Sequence, residues 1–354
     1  MNVSRPPPPG GGGGPPNPPG MPTLTTLQSD VALYGYPLLY ILAIVGHTSS
    51  LLIFLRPTLR HVSTSCLFIA LTISDSVYLL VSIYDFINTG FRRPDSSADP
   101  SATCRLRTFV QSTFMCCNAW LLVTISADRW ARVRFPFKSK QKCTRRNALL
   151  VIIGILIAAA GLNGHFLVPQ IFGRLPAGVM TVCGASMVNP NYFQFFRRTW
   201  PILFSCLQTL IPVILLLIFS LDTFRRLARN SIVQDRARSR RRAYLDKQML
   251  LIMLTSITLF AITTVPVGLY NILQPTVLRS LMTQTQQLEL FSICTFVAGI
   301  SYTIGFYLHC LTSPLFRQEF MHVIKWGRSR GRVVPITETD RMTGTVATVT
   351  RVHK

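Results

Sequence analysis

Apolar residues in this chain are gathered into seven long runs that are separated by short polar connections. Each run has the length of about 20 residues that a helix needs to cross the hydrocarbon core of a bilayer. Several runs also contain proline or polar residues, which helices facing a bundle interior tolerate. The pattern therefore predicts an all-α membrane protein whose seven transmembrane helices pack into one bundle. The predicted spans cover residues 31 to 55, 64 to 88, 104 to 133, 147 to 169, 200 to 224, 246 to 273 and 287 to 312.

The two ends of the chain lack these long apolar runs. Residues 1 to 29 carry a proline and glycine tract without apolar periodicity, so we expect them to be disordered. No apolar stretch follows the start, so we expect no cleavable signal peptide and insertion through the first span. The bundle is expected to occupy residues 30 to 313. Apolar and basic positions recur at helical spacing in residues 314 to 326, which predicts an amphipathic membrane-surface helix, and residues 327 to 354 are expected to form a disordered tail.

The distribution of charge predicts the orientation of the bundle. The chain of 354 residues is 49% hydrophobic, only 14% charged, and has a net charge of +23. Because 27 of its 36 lysines and arginines lie after spans one, three and five and in the tail, the positive-inside rule places those segments in the cytoplasm. We therefore expect a multi-pass plasma-membrane protein whose amino terminus is extracellular. The basic residues lie between apolar runs and suit anionic membrane lipid, so no nucleic-acid partner is expected.

The cysteines and histidines predict a disulfide rather than a metal or catalytic centre. Most of the nine cysteines fall inside apolar runs, where a thiol behaves as a small hydrophobe. Cys104 and Cys183 lie in polar connections and are the natural disulfide pair if those connections face an oxidising compartment. The six histidines are scattered without ligand spacing and no hydrolase constellation appears, so neither a metal site nor an enzyme is expected. Asn2 heads a glycosylation sequon on the outer side, for which chance is an equally good interpretation.

Span three ends in Asp128-Arg129-Trp130, with Arg129 twenty-five residues after Cys104. This ending resembles the Asp-Arg-Tyr signature of rhodopsin-like G protein-coupled receptors, with tryptophan in place of tyrosine. The resemblance implies that Arg129 pairs with Asp128 and with Asp246 at the base of span six, and that it moves to a G protein on activation. The alternative is an interfacial arginine that extends to water beside a helix end.

Span two carries Asp75, and an ionisable residue in mid-membrane indicates a functional role by default. Its position, together with those of Asn118 and Ser301, resembles the sodium site of the same family. The resemblance implies that Na⁺ binds there as an allosteric ion, with no other cofactor. The alternative is that interhelical hydrogen bonds satisfy Asp75 without any ion.

Spans six and seven match the family only in part. Phe260 and Pro266 have the spacing of the family's span-six activation motif, but Thr264 stands in place of its tryptophan. The intramembrane proline removes a backbone hydrogen bond and provides either a hinge or a static kink. His309 occupies the tyrosine position of the family's Asn-Pro-x-x-Tyr motif, and His47 replaces the span-one asparagine. We therefore expect intact ligand binding but a coupling efficiency that differs from that of typical members.

The resemblance covers about residues 30 to 326 and leans toward invertebrate neuropeptide receptors of the FMRFamide type, because of the runs 246 to 250 and 310 to 313. It implies an extracellular peptide ligand and a heterotrimeric G protein, with the basic segment 225 to 245 as part of the G protein contact. Gln111 stands where amine receptors carry aspartate, so a protonated amine lacks its usual counter-ion there. Gln111 is accordingly the candidate residue of the ligand pocket.

The predicted function is that of a G protein-coupled receptor that binds an extracellular neuropeptide and activates a G protein. Threonines of the tail are expected to recruit arrestin after phosphorylation, because added phosphate charges can pair with basic residues of a partner. A seven-span receptor-like scaffold without signalling and a membrane transporter are the alternatives. A transporter is expected to contain a repeat with broken helices in matching halves, and the sequence shows no such repeat.

Overall fold

The fold was taken from a computed structural model, which describes residues 25 to 55, 63 to 91, 99 to 174, 183 to 231 and 237 to 312, together with residues 316, 317, 320 and 321. Seven helices in this part of the chain are long and apolar enough to cross a membrane. The prediction of a seven-helix bundle is therefore confirmed. In chain order, spans one to seven are Thr26–Phe54, Ser63–Gly90, Ser101–Arg134, Arg145–Leu167, Pro190–Arg226, Leu254–Leu281 and Gln284–Thr312.

Span one begins earlier than the composition predicts. The Thr25 hydroxyl accepts a hydrogen bond from the backbone N–H of Gln28 at 3.2 Å, and the Gln28 side chain accepts one from the backbone N–H of Thr25 at 3.1 Å. This reciprocal capping satisfies two N–H groups that a helix start leaves open. Residues 26 to 29 are therefore helical, and the prediction that disorder extends to residue 29 is wrong. Residues 1 to 24, including Asn2, lie outside the described residues.

Span five is longer than its apolar run. It begins at Pro190, where the Asn189 side chain accepts a hydrogen bond from the backbone N–H of Tyr192 at 3.1 Å. Its first residues include the adjacent Arg197 and Arg198, which lower the local hydropathy and hide the helix from a search for apolar runs. A helix end that carries arginines beside aromatic rings can lie at the polar boundary of a membrane.

Short π-helical turns interrupt several spans. One of them, Cys206–Leu210, ends two residues before Pro212 in span five, and another, Gln274–Leu278, extends span six beyond Leu273. Pro266 lies inside the long α-helix Ala237–Leu273. Prolines and π turns are the usual local causes of bends, so spans five and six have identifiable positions at which they can bend.

Packing between the spans centres on span three, which is the most enclosed of the seven, whereas span four is the least enclosed. The largest buried cluster joins residues of spans two, three and four, among them Leu67, Leu121 and Ala159. On the other side of span two, the ring of Tyr78 stacks on that of Tyr302 in span seven, with centroids 4.1 Å apart. Because lipid is as apolar as these side chains, such contacts stabilise the bundle through close packing rather than through exclusion of water.

A β-hairpin covers one end of the bundle. Strand β1 (Phe172–Arg174) pairs antiparallel with strand β2 (Cys183–Ala185), and Arg174 lies opposite Cys183. Cys183 is bonded to Cys104 of span three, with the two Cα atoms 5.7 Å apart. The predicted disulfide is therefore confirmed. This end of the bundle is called the disulfide end below, and the other is called the opposite end.

At the opposite end, a short helix (Pro136–Lys142) follows span three. Of the predicted membrane-surface helix, the structure describes residues 316, 317, 320 and 321, all in helical conformation. Phe316 packs against Phe54 with ring centroids 5.7 Å apart, and Phe320 packs against Phe306 at 5.2 Å. The remaining residues of that helix, and the whole tail, lie outside the described residues.

Candidate functional site

The Asp128 carboxylate is the centre of a polar cluster at the opposite end. Thr64 of span two donates a hydrogen bond to it at 2.8 Å and Ser63 donates one at 3.3 Å, while Arg132 Nε forms an ion pair with it at 3.0 Å. Arg132 also donates to the Ser63 hydroxyl at 2.6 Å and to the Cys143 carbonyl at 3.3 Å. We call Asp128, Arg132, Ser63 and Thr64 the Asp128 cluster. It holds span two against span three by charge-assisted hydrogen bonds.

A second carboxylate at the same end joins span three to span five. Asp222 Oδ2 accepts a hydrogen bond from the indole N–H of Trp130 at 2.8 Å and one from Arg226 Nε at 2.8 Å, and Arg134 Nη1 lies 3.7 Å away. The rings of Trp130 and Phe219 lie 5.4 Å apart, so the indole also packs on span five. We call Asp222, Trp130, Arg134 and Arg226 the Asp222 cluster.

Asp222 was not among the residues predicted from the sequence. The sequence does contain an indication of its importance, because Asp222 is the only acidic residue between Pro190 and Arg226. A carboxylate near the end of a transmembrane helix needs a partner, and its arginine neighbour at position i+4 is visible in the sequence. The contact with Trp130, however, depends on how spans three and five meet, which the sequence does not show.

Arg129 follows Asp128 directly and precedes Trp130, so it lies between residues of the two clusters. Asp246 lies on the helix Ala237–Leu273, but its side chain is outside the described residues. The pairing of Arg129 with Asp128 and Asp246 therefore stays a prediction. The ion pair shown at Asp128 is the one with Arg132.

The span-six residues of the predicted switch are well buried. Phe260 packs between spans three and five in a cluster with Ala119 and Leu216. Thr264 is fully buried and its hydroxyl donates to the Phe260 carbonyl at 2.6 Å, within its own helix. The threonine thus fills the position without adding an aromatic contact, and Pro266 follows it inside the helix.

The predicted mid-membrane site is brought together in part. Asn118 Nδ2 donates a hydrogen bond to Asp75 Oδ1, which joins spans two and three. The Oδ1 atom of Asn118 is buried and has no hydrogen-bond partner among the described residues. Ser301 donates to the Ala298 carbonyl of its own helix at 2.7 Å. An interhelical hydrogen bond thus uses part of the acceptor capacity of the Asp75 carboxylate, and the buried Oδ1 of Asn118 remains available beside it.

His47, which replaces the family's span-one asparagine, forms hydrogen bonds to two other spans. Its Nε2 lies 2.9 Å from the Tyr302 carbonyl, and its Nδ1 lies 2.8 Å from the Ser76 hydroxyl. Because a carbonyl only accepts, Nε2 must carry a proton. His47 therefore links span one to spans two and seven, and the departure from the family's residue retains an interhelical contact.

Near the disulfide end, a charged pair lies between spans two and three. Arg107 Nη2 forms an ion pair with Asp85 at 3.0 Å and donates to Gln111 Oε1 at 3.3 Å. The guanidinium carbon lies 5.7 Å from the ring centroid of Tyr84. Arg107 Nε is buried without a hydrogen-bond partner among the described residues, and Nη1 lies 3.9 Å from Cys183 Sγ. The predicted pocket residue Gln111 therefore belongs to a charged site that sequence reasoning had not identified.

Comparison with known proteins agrees with the seven-helix fold and with the family resemblance of the sequence. Residues 50 to 315 match the family of seven-transmembrane receptors of the rhodopsin type. A galanin-like G-protein coupled receptor of Caenorhabditis elegans is 28% identical over 122 residues, which are 34% of this chain and 28% of that protein. A FMRFamide peptide receptor of the same worm is 31% identical over 120 residues, 32% of this chain and 28% of that protein. The matched segments thus span less than a third of either relative.

Proposed function

Because the chain belongs to the rhodopsin family of seven-transmembrane receptors, we propose that it is a plasma-membrane G protein-coupled receptor for an extracellular peptide. The observation that carries the proposal is the position of the two carboxylate clusters, which tie span three to spans two and five at the end opposite the disulfide. Paired charges at one end and the charged pair Asp85–Arg107 at the other suit a protein that transmits a binding event across a membrane. Two relatives with names of peptide receptors support the class of ligand.

In this proposal the disulfide end is extracellular and the pair Asp85–Arg107 lies in the ligand site. The pair offers a carboxylate and a guanidinium within one ion-pair distance, and a peptide presents both kinds of charge. Arg107 keeps donor capacity for a further acceptor at Nη1, which lies 3.9 Å from the sulfur of Cys183, a weak acceptor. A carboxylate or a backbone carbonyl of a peptide fits that donor.

The opposite end is the proposed G protein contact. The basic segment 225 to 245 follows span five, and the charge distribution places it on the same side of the membrane as the end of span three. Arg129, at the centre of the family motif, is the residue proposed to meet the G protein after release. Arrestin is the proposed partner of the phosphorylated tail.

A peptide-library screen tests the proposal. Cells that express the chain with a promiscuous G protein should release calcium in response to at least one neuropeptide. Arg129→Ala should abolish that response at equal surface expression, whereas Lys138→Ala, on the short helix beyond span three, should retain it. A parent chain that stays silent to every peptide while it reaches the surface would favour the receptor-like scaffold. An Arg129→Ala variant that still signals would place the G protein contact elsewhere.

The ligand site has its own test. Arg107→Gln should weaken the potency of an active peptide about tenfold, the factor that corresponds to about 1.4 kcal/mol. Arg105→Gln is the matched control, because Arg105 lies two residues away and its guanidinium donates to Ser101 of the same span at 3.1 Å. Equal potency of the two variants would remove Arg107 from the ligand site.

We also propose that Na⁺ binds between Asp75 and Asn118. The buried Oδ1 of Asn118 and the Asp75 carboxylate provide oxygen ligands of the kind that hard cations prefer. The Ser301 hydroxyl donates to a backbone carbonyl, so its lone pairs stay available as a third ligand. NaCl should raise the unfolding temperature of the purified protein relative to N-methylglucamine chloride, and Asp75→Asn should abolish this difference. The same difference in parent and variant would reject the site.

A further inference from the structure

We infer that Asp222 is the positioning residue of a lock between spans three and five, which keeps the proposed receptor in its resting state. The inference rests on the proposed function for its signalling consequence. It rests on the structure alone for the contact itself, in which Trp130 and two arginines meet one carboxylate oxygen.

The lock depends on tryptophan at the position where the family motif has tyrosine. An indole N–H can only donate, whereas a phenol hydroxyl can donate or accept. Trp130 therefore requires an acceptor, and Asp222 Oδ2 provides one at 2.8 Å. The ring contact with Phe219 at 5.4 Å orients the indole toward that oxygen. A tryptophan here thus commits span three to one partner on span five.

The two arginines add charge but little specificity. The side chains of Asp222 and Arg226 are 35% and 36% exposed, and ion pairs exposed to this extent contribute little by themselves. Arg134 additionally lies over the rings of Trp130 and Phe135, at 6.0 and 5.4 Å from their centroids, which covers the indole. One negative charge thus faces two positive ones. Removal of Asp222 leaves two guanidinium groups facing each other, so the loss of attraction is accompanied by repulsion between spans three and five.

Basal signalling and an interhelical distance together test the lock. Asp222→Ala should raise basal second-messenger output per surface receptor about fivefold, which corresponds to about 1 kcal/mol. Trp130→Phe keeps a ring but removes the N–H donor, and should raise the output about twofold, roughly 0.4 kcal/mol. The double variant should be no more active than Asp222→Ala, because both changes break the same contact. Asp222→Leu, which keeps roughly the size of the side chain but provides no acceptor for the indole N–H, is a second variant if Asp222→Ala does not reach the surface.

Two matched controls lie close to the lock. Leu221→Ala removes an exposed side chain next to Asp222, and Leu217→Ala removes another exposed side chain of span five. Both should signal like the parent. Variants of the lock that also signal like the parent, or that add independently in the double variant, would overturn the inference.

The distance measurement separates the lock from the proposed function. Genetically encoded spin labels at Leu55 and Phe224, both exposed at the opposite end, report the position of span five relative to span one. Asp222→Ala should broaden or lengthen this distance distribution, and Leu221→Ala should not. If the parent never signals, the proposed function fails while a broadened distribution still supports the lock. An unchanged distribution in Asp222→Ala would overturn the lock whether or not the parent signals.

Discussion

The two carboxylate clusters at the opposite end differ mainly in their shelter from water. The Asp128 side chain is 9% exposed and is held by two hydroxyl groups as well as by Arg132, whereas the Asp222 side chain is 35% exposed and is held mostly by charged partners. Removing a partner from a sheltered charge costs far more than removing one from an exposed charge. Similar ion pairs at one end of the bundle can therefore have different roles. The Asp128 cluster is suited to hold the bundle together, and the Asp222 cluster is suited to break and re-form.

The largest effect is expected from Asp128→Ala. The variant should lower the free energy of unfolding by about 2 kcal/mol, because three polar side chains lose their shared acceptor. Asp222→Ala should lower it by less than half as much. Thermal unfolding of both purified proteins in lipid nanodiscs measures the two values. If the two variants lose equal stability, the difference in shelter does not govern the clusters.

A smaller effect is expected from Thr64→Val, which keeps the shape of the side chain and removes its hydroxyl. The free energy of unfolding should fall by about 1 kcal/mol, the usual contribution of a hydrogen bond. Arg226→Ala should cost only about 0.4 kcal/mol, as is usual for an exposed pair four residues apart on a helix. Thr64→Val should therefore cost more stability than Arg226→Ala, and the reverse order would contradict the prediction.

High salt should change the stability contributions of the two clusters by different amounts. Raising KCl from about 0.01 to 1 M shortens the screening length from about 30 Å to 3 Å, and exposed pairs are screened more than sheltered ones. The stability difference between the parent and Arg226→Ala should therefore vanish at high salt. The difference between the parent and Thr64→Val should persist. A loss of both differences would show that water reaches the Asp128 cluster.

The smallest expected effect is chemical. Burial raises the pKa of the Cys143 thiol, and the nearby Asp128 carboxylate raises it further. Because only the thiolate is nucleophilic, Cys143 should be alkylated slowly at neutral pH and faster as the pH rises toward the pKa. Asp128→Ala should lower this pKa and accelerate alkylation at a given pH. Peptide mass spectrometry after iodoacetamide treatment measures the rate at this cysteine alone. An unchanged rate would place Asp128 too far away to influence the thiol.

The sequence predicts the bundle well because lipid imposes a simple rule on spanning helices. The seven runs, the disulfide and the meeting of Asp75 with Asn118 follow from length, polarity and the family resemblance. The first residues of span five cannot be found in this way, because Arg197 and Arg198 lower the local hydropathy although they belong to the helix.

The candidate site shows where sequence reasoning stops. The family motif directs attention from Asp128 to its neighbour Arg129, but adjacent residues of a helix do not face each other, whereas residues four apart do. Spacing alone could therefore have suggested Arg132, which is the ion-pair partner that the structure shows. The contact of Trp130 with Asp222 could not have been found in this way. It joins residues 92 positions apart and depends on the packing angle of two helices.

His47 illustrates how one replaced residue becomes difficult to reverse. Its imidazole reaches both Ser76 and the Tyr302 carbonyl, and asparagine has a shorter side chain that ends in one amide group. Replacing His47 by the family's asparagine alone would leave one of these partners without its bond, so the family's usual residue would destabilise the present bundle. In evolutionary terms the histidine is entrenched. Substitutions at neighbouring positions of spans two and seven are then tolerated only if they preserve the hydrogen bonds of the histidine.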